Sequence, residues 1–302
     1  MDIRNVQKTG NMFYVYLPTI WCRAHGITSK SKISLNTNND GTLTIHPQIT
    51  KGKKKNIALD ISETDQDIIN KLIVACYINP AGSFNINLKN ELTATKLLDQ
   101  KKLISVELVE FDGKHISCES SITVEDPMSL LITMIRKISN MLLVMKKNYN
   151  KELIERYEEE IDRSNLLIEK AVLAGLVLGE SLYLRPADLH YLAILAKELE
   201  RLVDRLKTLE SSEKPFFDSV SPTIDFLKEM FGSPVCEKNK VNINHERAIA
   251  FTKLVKKIKQ QNPTSASSYS KTRIRNRLIS ISEILFDWSI TNELLSSDHE
   301  KH

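Results

Sequence analysis

The chain contains only nine glycines and nine prolines in 302 residues, which excludes collagen-like repeats and low-complexity linker architectures. Aromatic residues are scarce, at 6%. Uninterrupted apolar runs such as Leu142–Met145 and Leu176–Leu178 fall far short of the roughly 20 residues of a spanning helix. Insertion into a membrane is therefore not expected. The opening residues Met1-Asp2-Ile3-Arg4 lack the basic and apolar regions of an export signal, so a cytoplasmic location is expected. Cys22, Cys76, Cys118 and Cys236 are widely spaced, which leaves no C-x-x-C zinc or redox pair. Four reduced, mostly buried thiols are the expectation. The chain also has no H-E-x-x-H, E-x-x-H, G-x-S-x-G or phosphate-binding P-loop pattern. Neither catalysis nor an organic cofactor is expected.

What is present is the composition of an ordinary globular protein, 41% hydrophobic and 26% charged, long enough for two or three domains. Its charge is unevenly placed. Residues 1–55 hold nine basic side chains (Arg4, Lys8, Arg23, Lys30, Lys32, Lys51, Lys53, Lys54, Lys55) against Asp2 and Asp40, a balance of +7. The rest of the chain carries −3 of the overall +4. A basic module for a polyanion, attached to a mildly acidic body, fits this asymmetry.

Residues 1–48 read as a ββαββ unit. Ile3–Lys8 and Phe13–Leu17 suit strands around the turn Thr9-Gly10-Asn11. Pro18 suits the entry to a helix over Thr19–His25, and Gly26 suits its end. Ile33–Asn36 and Thr42–Ile45 alternate as strands about Asn38-Asn39-Asp40-Gly41, a hairpin signal. So small a unit buries too little surface to stand comfortably alone, and dimerisation is the usual remedy. The order Ile3-Arg4-Asn5-Val6, glycine turn, Val15-Tyr16-Leu17-Pro18, helix, His25-Gly26-Ile27, Ile33-Ser34-Leu35 and Asp-Gly turn resembles the SpoVT/AbrB family. The resemblance implies a swapped-hairpin β-barrel in which two chains interleave to form a homodimer that binds DNA. It places Arg4 and Arg23 at DNA-contacting positions, with Cys22 at the other helix position. Lys8, Lys30 and Lys32 add positive charge for phosphate contacts.

Residues 56–125 read as a small α/β segment. Strands are expected at Ile57–Ile61 and Phe84–Leu88, a helix at Asp65–Tyr77, and a hairpin of Leu103–Glu110 with His115–Glu119. No chemical motif lies there. Residues 126–302 switch to long helical periodicity. Helices are expected from Asp126-Pro127 to about Tyr149, then over Lys151–Leu178, Pro186–Leu209, Thr223–Phe231, His245–Gln261 and Thr272–Leu295, with Pro263–Ser270 as a loop. Such helices with short connections make an all-α antiparallel bundle.

Acidic pairs recur on these helices. Ile154, Tyr157, Ile161 and Ile168 form an apolar stripe with Glu158, Asp162 and Glu169 beside it. Leu192, Leu195, Leu199, Leu202 and Leu206 form the next stripe, accompanied by Glu200 and Asp204. Glu283 and Asp287 repeat the spacing on the last helix. Carboxylates at i and i+4 share a helix face, and two such pairs on facing helices offer oxygen donors for hard divalent or ferric ions. Equally, Arg156, Arg163, Arg201 and Arg205 could neutralise these acids as surface pairs.

Glu158-Glu159-Glu160-Ile161-Asp162, then Arg185-Pro186-Ala187-Asp188-Leu189 and Glu200-Arg201-Leu202-Val203-Asp204, look like one three-helix repeat of the PhoU family of phosphate-uptake regulators. The resemblance implies a PhoU-like domain over residues 126–302, with repeat one at 126–210 and a degenerate repeat two at 221–300. It implies metal ligands at Glu158, Asp162, Glu200 and Asp204, and at Glu283 and Asp287 in the second repeat. There Ile284 replaces the motif's arginine, and the partner helix offers Glu246 without an acidic i, i+4 mate. Together the two resemblances imply a multidomain, DNA-binding regulator of phosphate uptake, with the bundle sensing metal or phosphate status. The alternative is an adaptor that does not bind DNA and restrains a phosphate ABC transporter through its ATPase.

Overall fold

A computed structural model describes residues 3–37, 42–47, 56–81, 83–91, 109–119, 126–178, 184–232, 243–260, 262 and 264–297. The chain divides into two compact units, Met1–Lys53 and Lys54–His302.

In the first unit, β1 (Gln7–Thr9) and β2 (Met12–Tyr14) pair antiparallel. They meet around Gly10, whose φ of +61° suits a residue without a Cβ. Both strands are shorter than the apolar runs that suggested them. Pro18 precedes α1 (Thr19–Ala24), and the helix ends in a Schellman arrangement. Ile27 N–H donates to the Cys22 carbonyl and Gly26 N–H to the Arg23 carbonyl, with Gly26 at φ +62°. The strands β3 (Ser34–Thr37) and β4 (Leu43–His46) pair antiparallel, and the expected Asn38–Gly41 turn lies outside the described residues. Among the described residues the strands form two separate two-stranded sheets and no closed barrel. None of the residues whose burial is described in this unit is buried.

The second unit opens with a four-stranded sheet in the order β5 (Asn56–Ile61), β6 (Ser83–Leu88), β8 (His115–Glu119), β7 (Val109–Phe111). β5 and β6 run parallel because α2 (Gln66–Ile78) carries the chain between them. Asp65 caps α2, accepting from the N–H groups of Asp67 and Ile68. The inward face of α2 (Ile69, Ile73, Cys76, Tyr77) packs on Phe84, Ile86, Leu88, Ile116 and Cys118. Cys76 and Cys118 are buried free thiols and Cys22 is half-buried, while Cys236 lies outside the described residues.

Among the described residues, six long helices follow. They are α3 (Pro127–Lys147), α4 (Lys151–Leu178), α5 (Pro186–Leu206), α6 (Lys214–Gly232), α7 (His245–Lys257) and α8 (Ala266–Ser297). Asp126 caps α3, with Pro127 in its first turn. α3 packs on α4 and α6, α5 on α4 and α8, and α7 on α6 and α8. The helix α3 has the length and apolarity of a membrane span, yet Leu131, Met134, Ile135, Ile138, Met141 and Leu142 lie in the bundle core. The leucine stripe of α5 is wholly buried in the same core.

Two helix starts differ from the sequence expectation. α6 begins at Lys214, nine residues before the expected start at Thr223, and passes through Pro222. Proline removes one backbone donor, and hydroxyls of Ser219, Ser221 and Thr223 bond carbonyls of the preceding turn at 2.7–2.9 Å. Burial of Phe216, Phe217 and Val220 favours the continuous helix. α8 begins at Ala266 inside the expected loop, because Ser265 and Ser268 cap one another. Ser268 N–H donates to Ser265 Oγ at 3.2 Å, and Ser265 N–H to Ser268 Oγ at 2.8 Å, a reciprocal capping box.

A buried polar node joins α5 to α8. Asp188, 3% exposed, accepts from Arg185 Nε and Nη2 at 2.7 and 2.8 Å and from Trp288 Nε1 at 2.9 Å. Arg185 also donates to Asn292 Oδ1. Removing one member of a buried charged network strands the others. Asp188→Ala should therefore lower the unfolding free energy by about 2–4 kcal/mol, read as a lower urea midpoint at unchanged slope. A loss below about 0.5 kcal/mol would show the node to be dispensable.

Candidate metal centre

The helices α4 and α5 face each other with their polar edges in register, so that the N-terminal half of α4 lies beside the C-terminal end of α5. Buried Ile154, Ile161 and Ile168 fix the rotation of α4, and Leu195, Leu199, Leu202 and Leu206 fix that of α5. With those stripes turned inward, Glu158 and Asp162 meet Asp204. One carboxylate oxygen from each of the three lies within 4.8 Å of the others. Two ligands on opposite sides of an ion held at 2.0–2.6 Å are themselves about 4–5 Å apart, so the spacing suits a hard divalent cation.

Glu158 is buried, Asp162 is half-buried, and the Asp204 side chain is 41% exposed. Asp162 Oδ1 is buried without a hydrogen-bond partner. Burial, reinforced by the charges of Glu158, Glu200 and Asp204, pushes the Asp162 carboxyl from its ordinary 3.8 up to about 7; Lys207 opposes the shift. A cation at this position would relieve both the orphaned oxygen and the crowded charge.

The fourth predicted acid, Glu200, stands aside from the group of three. Its carboxylate pairs with Lys197 at 3.5 Å and acts on Asp162 through space. Glu169 accepts from Asn165 Nδ2 at 3.1 Å. Glu283 and Asp287 are exposed on α8, and no group of three metal-binding side chains among the described residues includes them.

The cation that meets the cluster is Lys207. Its ammonium donates to Glu158 Oε1 and lies 3.6 Å from Asp204 Oδ1. Burial opposes its charge, but the Glu158 hydrogen bond and the charges of Glu158, Asp204 and Asp162 hold its pKa above the ordinary value. Two of the arginines on these helices act on other acids. Arg201 donates to Glu198 at 2.8 Å, where Arg277 joins it from α8 at 3.1 Å, and the Arg163 charge acts on Glu160. Lys207 was legible in principle, since it stands three residues after Asp204 and shares its helix face.

The described basic residues of the first unit are exposed. Arg4 precedes β1, Lys8 lies on it, Arg23 is in the last turn of α1, and Lys30 and Lys32 follow that helix. Lys8 Nζ sits 5.4 Å from the centre of the Phe13 ring. Comparison of the chain with protein-family models, curated proteins and solved structures finds no match.

The raised Asp162 pKa carries a sign. Folded protein holds this proton more tightly than unfolded protein, so stability falls as pH rises from about 4 to about 7, and the penalty is complete above that. Asp162→Asn removes the penalty. In metal-free protein its gain in urea midpoint over wild type should be larger at about pH 8 than at about pH 4.5. The same difference at both pH values would contradict the assignment.

Proposed function

We propose that this protein is a dimeric DNA-binding regulator of phosphate uptake whose helical body senses metal or phosphate status. The convergence of Glu158, Asp162 and Asp204 between α4 and α5 carries the reading. Three carboxylates with one orphaned, buried oxygen form an oxygen-donor set for a divalent or ferric ion, and Glu200 adds charge beside it. The resident ion would supply positive charge that binds α4 to α5. The packing of the helices supports two three-helix repeats, α3–α5 and α6–α8, as in the PhoU-like reading. α3 meets α6, α5 meets α8, and α4 and α7 each join the two other helices of their own repeat.

The first unit supports the dimer. Ile3, Val6, Met12, Phe13, Tyr16 and Ile20 are all more than half exposed, and no described residue there is buried. A unit of this size needs a partner to make a core, and interleaved hairpins from a second chain would provide one. Each basic residue is then doubled, giving a polycation suited to the phosphates of duplex DNA. In this reading the basic unit is the DNA reader and the acidic body the sensor of one chain.

Two measurements test this. Equilibrium dialysis should load Mn²⁺ onto wild-type protein and leave the Asp162→Asn/Asp204→Asn double variant empty. Binding to duplex DNA from the promoter of a phosphate-transport operon should weaken steeply with salt. Arg4→Ala/Arg23→Ala should flatten the slope of log K against log salt by roughly 3–4 if all four cations of a dimer meet phosphates. An unchanged slope would reject this surface. Recovery of a transporter ATPase without promoter DNA would favour the adaptor.

A further inference from the structure

The carboxylate cluster already contains a cation, and that cation belongs to the chain. Lys207 is the residue that closes α5, one turn beyond Asp204, so its side chain reaches back over the acidic edge of the helix. Its ammonium bonds Glu158 on α4 and lies 3.6 Å from Asp204 on α5. Glu158 and Asp204 are two of the three carboxylates whose oxygens converge. A divalent ion bound by all three would share the Glu158 and Asp204 carboxylates with the ammonium, and two positive charges at that separation repel.

We infer that Lys207 is a tethered competitor for the metal centre, so that metal binding requires its ammonium to leave Glu158 and Asp204. The inference rests on the metal reading above and adds a selectivity device to it. A monovalent ion offers the carboxylates no more charge than the ammonium it would displace, and the ammonium is held nearby at high effective concentration. A divalent ion brings twice the charge and several coordination sites for oxygens. The lysine thereby sets a threshold that sodium or potassium does not cross and that a divalent ion crosses only at sufficient concentration. Its side chain is about one-third exposed, at 35%, so it has an outlet to solvent once displaced. Arg201 and Lys197 do not share this role, because their charges are committed to Glu198 and Glu200.

The test compares wild type with Lys207→Met, which keeps the aliphatic stem and removes the charge. Mn²⁺ titration should show the variant binding roughly tenfold more tightly or better, the scale of one charge-assisted pair lost from the competition. Separately, acetylation of full-length wild-type protein, read by mass spectrometry, should label Lys207 several-fold faster with saturating Mn²⁺ than without. Potassium at matched ionic strength should not produce that change. If wild type binds Mn²⁺ and Lys207→Met binds it no more tightly, the competitor role is overturned while the metal centre stands. If Mn²⁺ leaves Lys207 acetylation unchanged at saturation, the role is likewise overturned. If neither protein binds Mn²⁺, the metal centre itself fails and the competitor role fails with it.

Discussion

Packing α4 against α5 brings Glu158, Asp162 and Asp204 into one partly dehydrated space, with Glu200 beside them. Their mutual repulsion has to be offset by positive charge. Two unit charges about 5 Å apart interact by on the order of 3 kcal/mol at an effective dielectric of about 20, a large fraction of a typical domain's net stability. Three responses are visible. Asp162 holds its proton up to about pH 7. Lys207 lends its ammonium to Glu158 and Asp204. Asp204 remains partly in water. Each is a partial remedy, and none removes the crowding of negative charge between the two helices.

The acids are not free to move apart, because the groups that place them are buried elsewhere on the same helices. The isoleucines of α4 and leucines of α5 are removed from water at roughly 1.5–3 kcal/mol each. Rotating either helix to separate the carboxylates would expose that stripe. At the far end of α5, Asp188 is locked by Arg185 and Trp288, and midway Glu198 ties α5 to Arg277 of α8. Apolar burial thus sets the helix rotation, and buried polar contacts set how α5 sits against α8. The strained electrostatics between α4 and α5 is the consequence. This is how a binding site is commonly held, with rigid elements forcing together groups that repel in the absence of a ligand.

The helices were legible because 3.6-residue periodicity and capping residues are local signals. The stripe of α5 and the Asp65 and Asp126 caps could all be read from short windows. Pro222 and Ser265 misled the boundaries, because a proline suggests a stop and a serine-rich run suggests a loop. In α8 a mutual serine cap supplies the missing partners, and in α6 the burial of Phe216, Phe217 and Val220 favours a helix continuous through the proline. The candidate site was legible as two i, i+4 pairs, but spacing alone does not tell which acids converge. Glu283 and Asp287 have the same spacing as Glu158 and Asp162, yet face solvent on α8. Glu200 has it too, and pairs with Lys197 instead. What separates them is the neighbouring helix, a long-range fact. Lys207 is local information of the same kind as the acids, one turn beyond the Glu-Arg-x-x-Asp motif.

The first unit presents the inverse problem. The bundle has too much like charge in one place and an ample core around it. The first unit has apolar side chains, including Ile20 at 86% exposure, and no described core residue to shelter them. Its local signals are sound: the Schellman end of α1 and the Gly10 turn are satisfied within the chain. Local satisfaction without burial does not stabilise so short a segment, because backbone hydrogen bonds gain little net over those made to water. The free energy has to come from apolar area removed from water, at about 25 cal/mol per Å². That area is available on β2 and α1, where Met12, Phe13 and Ile20 lie, and at Val15 just after β2. Under the proposed dimer, the same surface of a second chain would cover it symmetrically and bring together two copies of Arg4, Lys8 and Arg23. In the proposed dimer, the deficiency that prevents this unit from standing alone is therefore what assembles its positive surface.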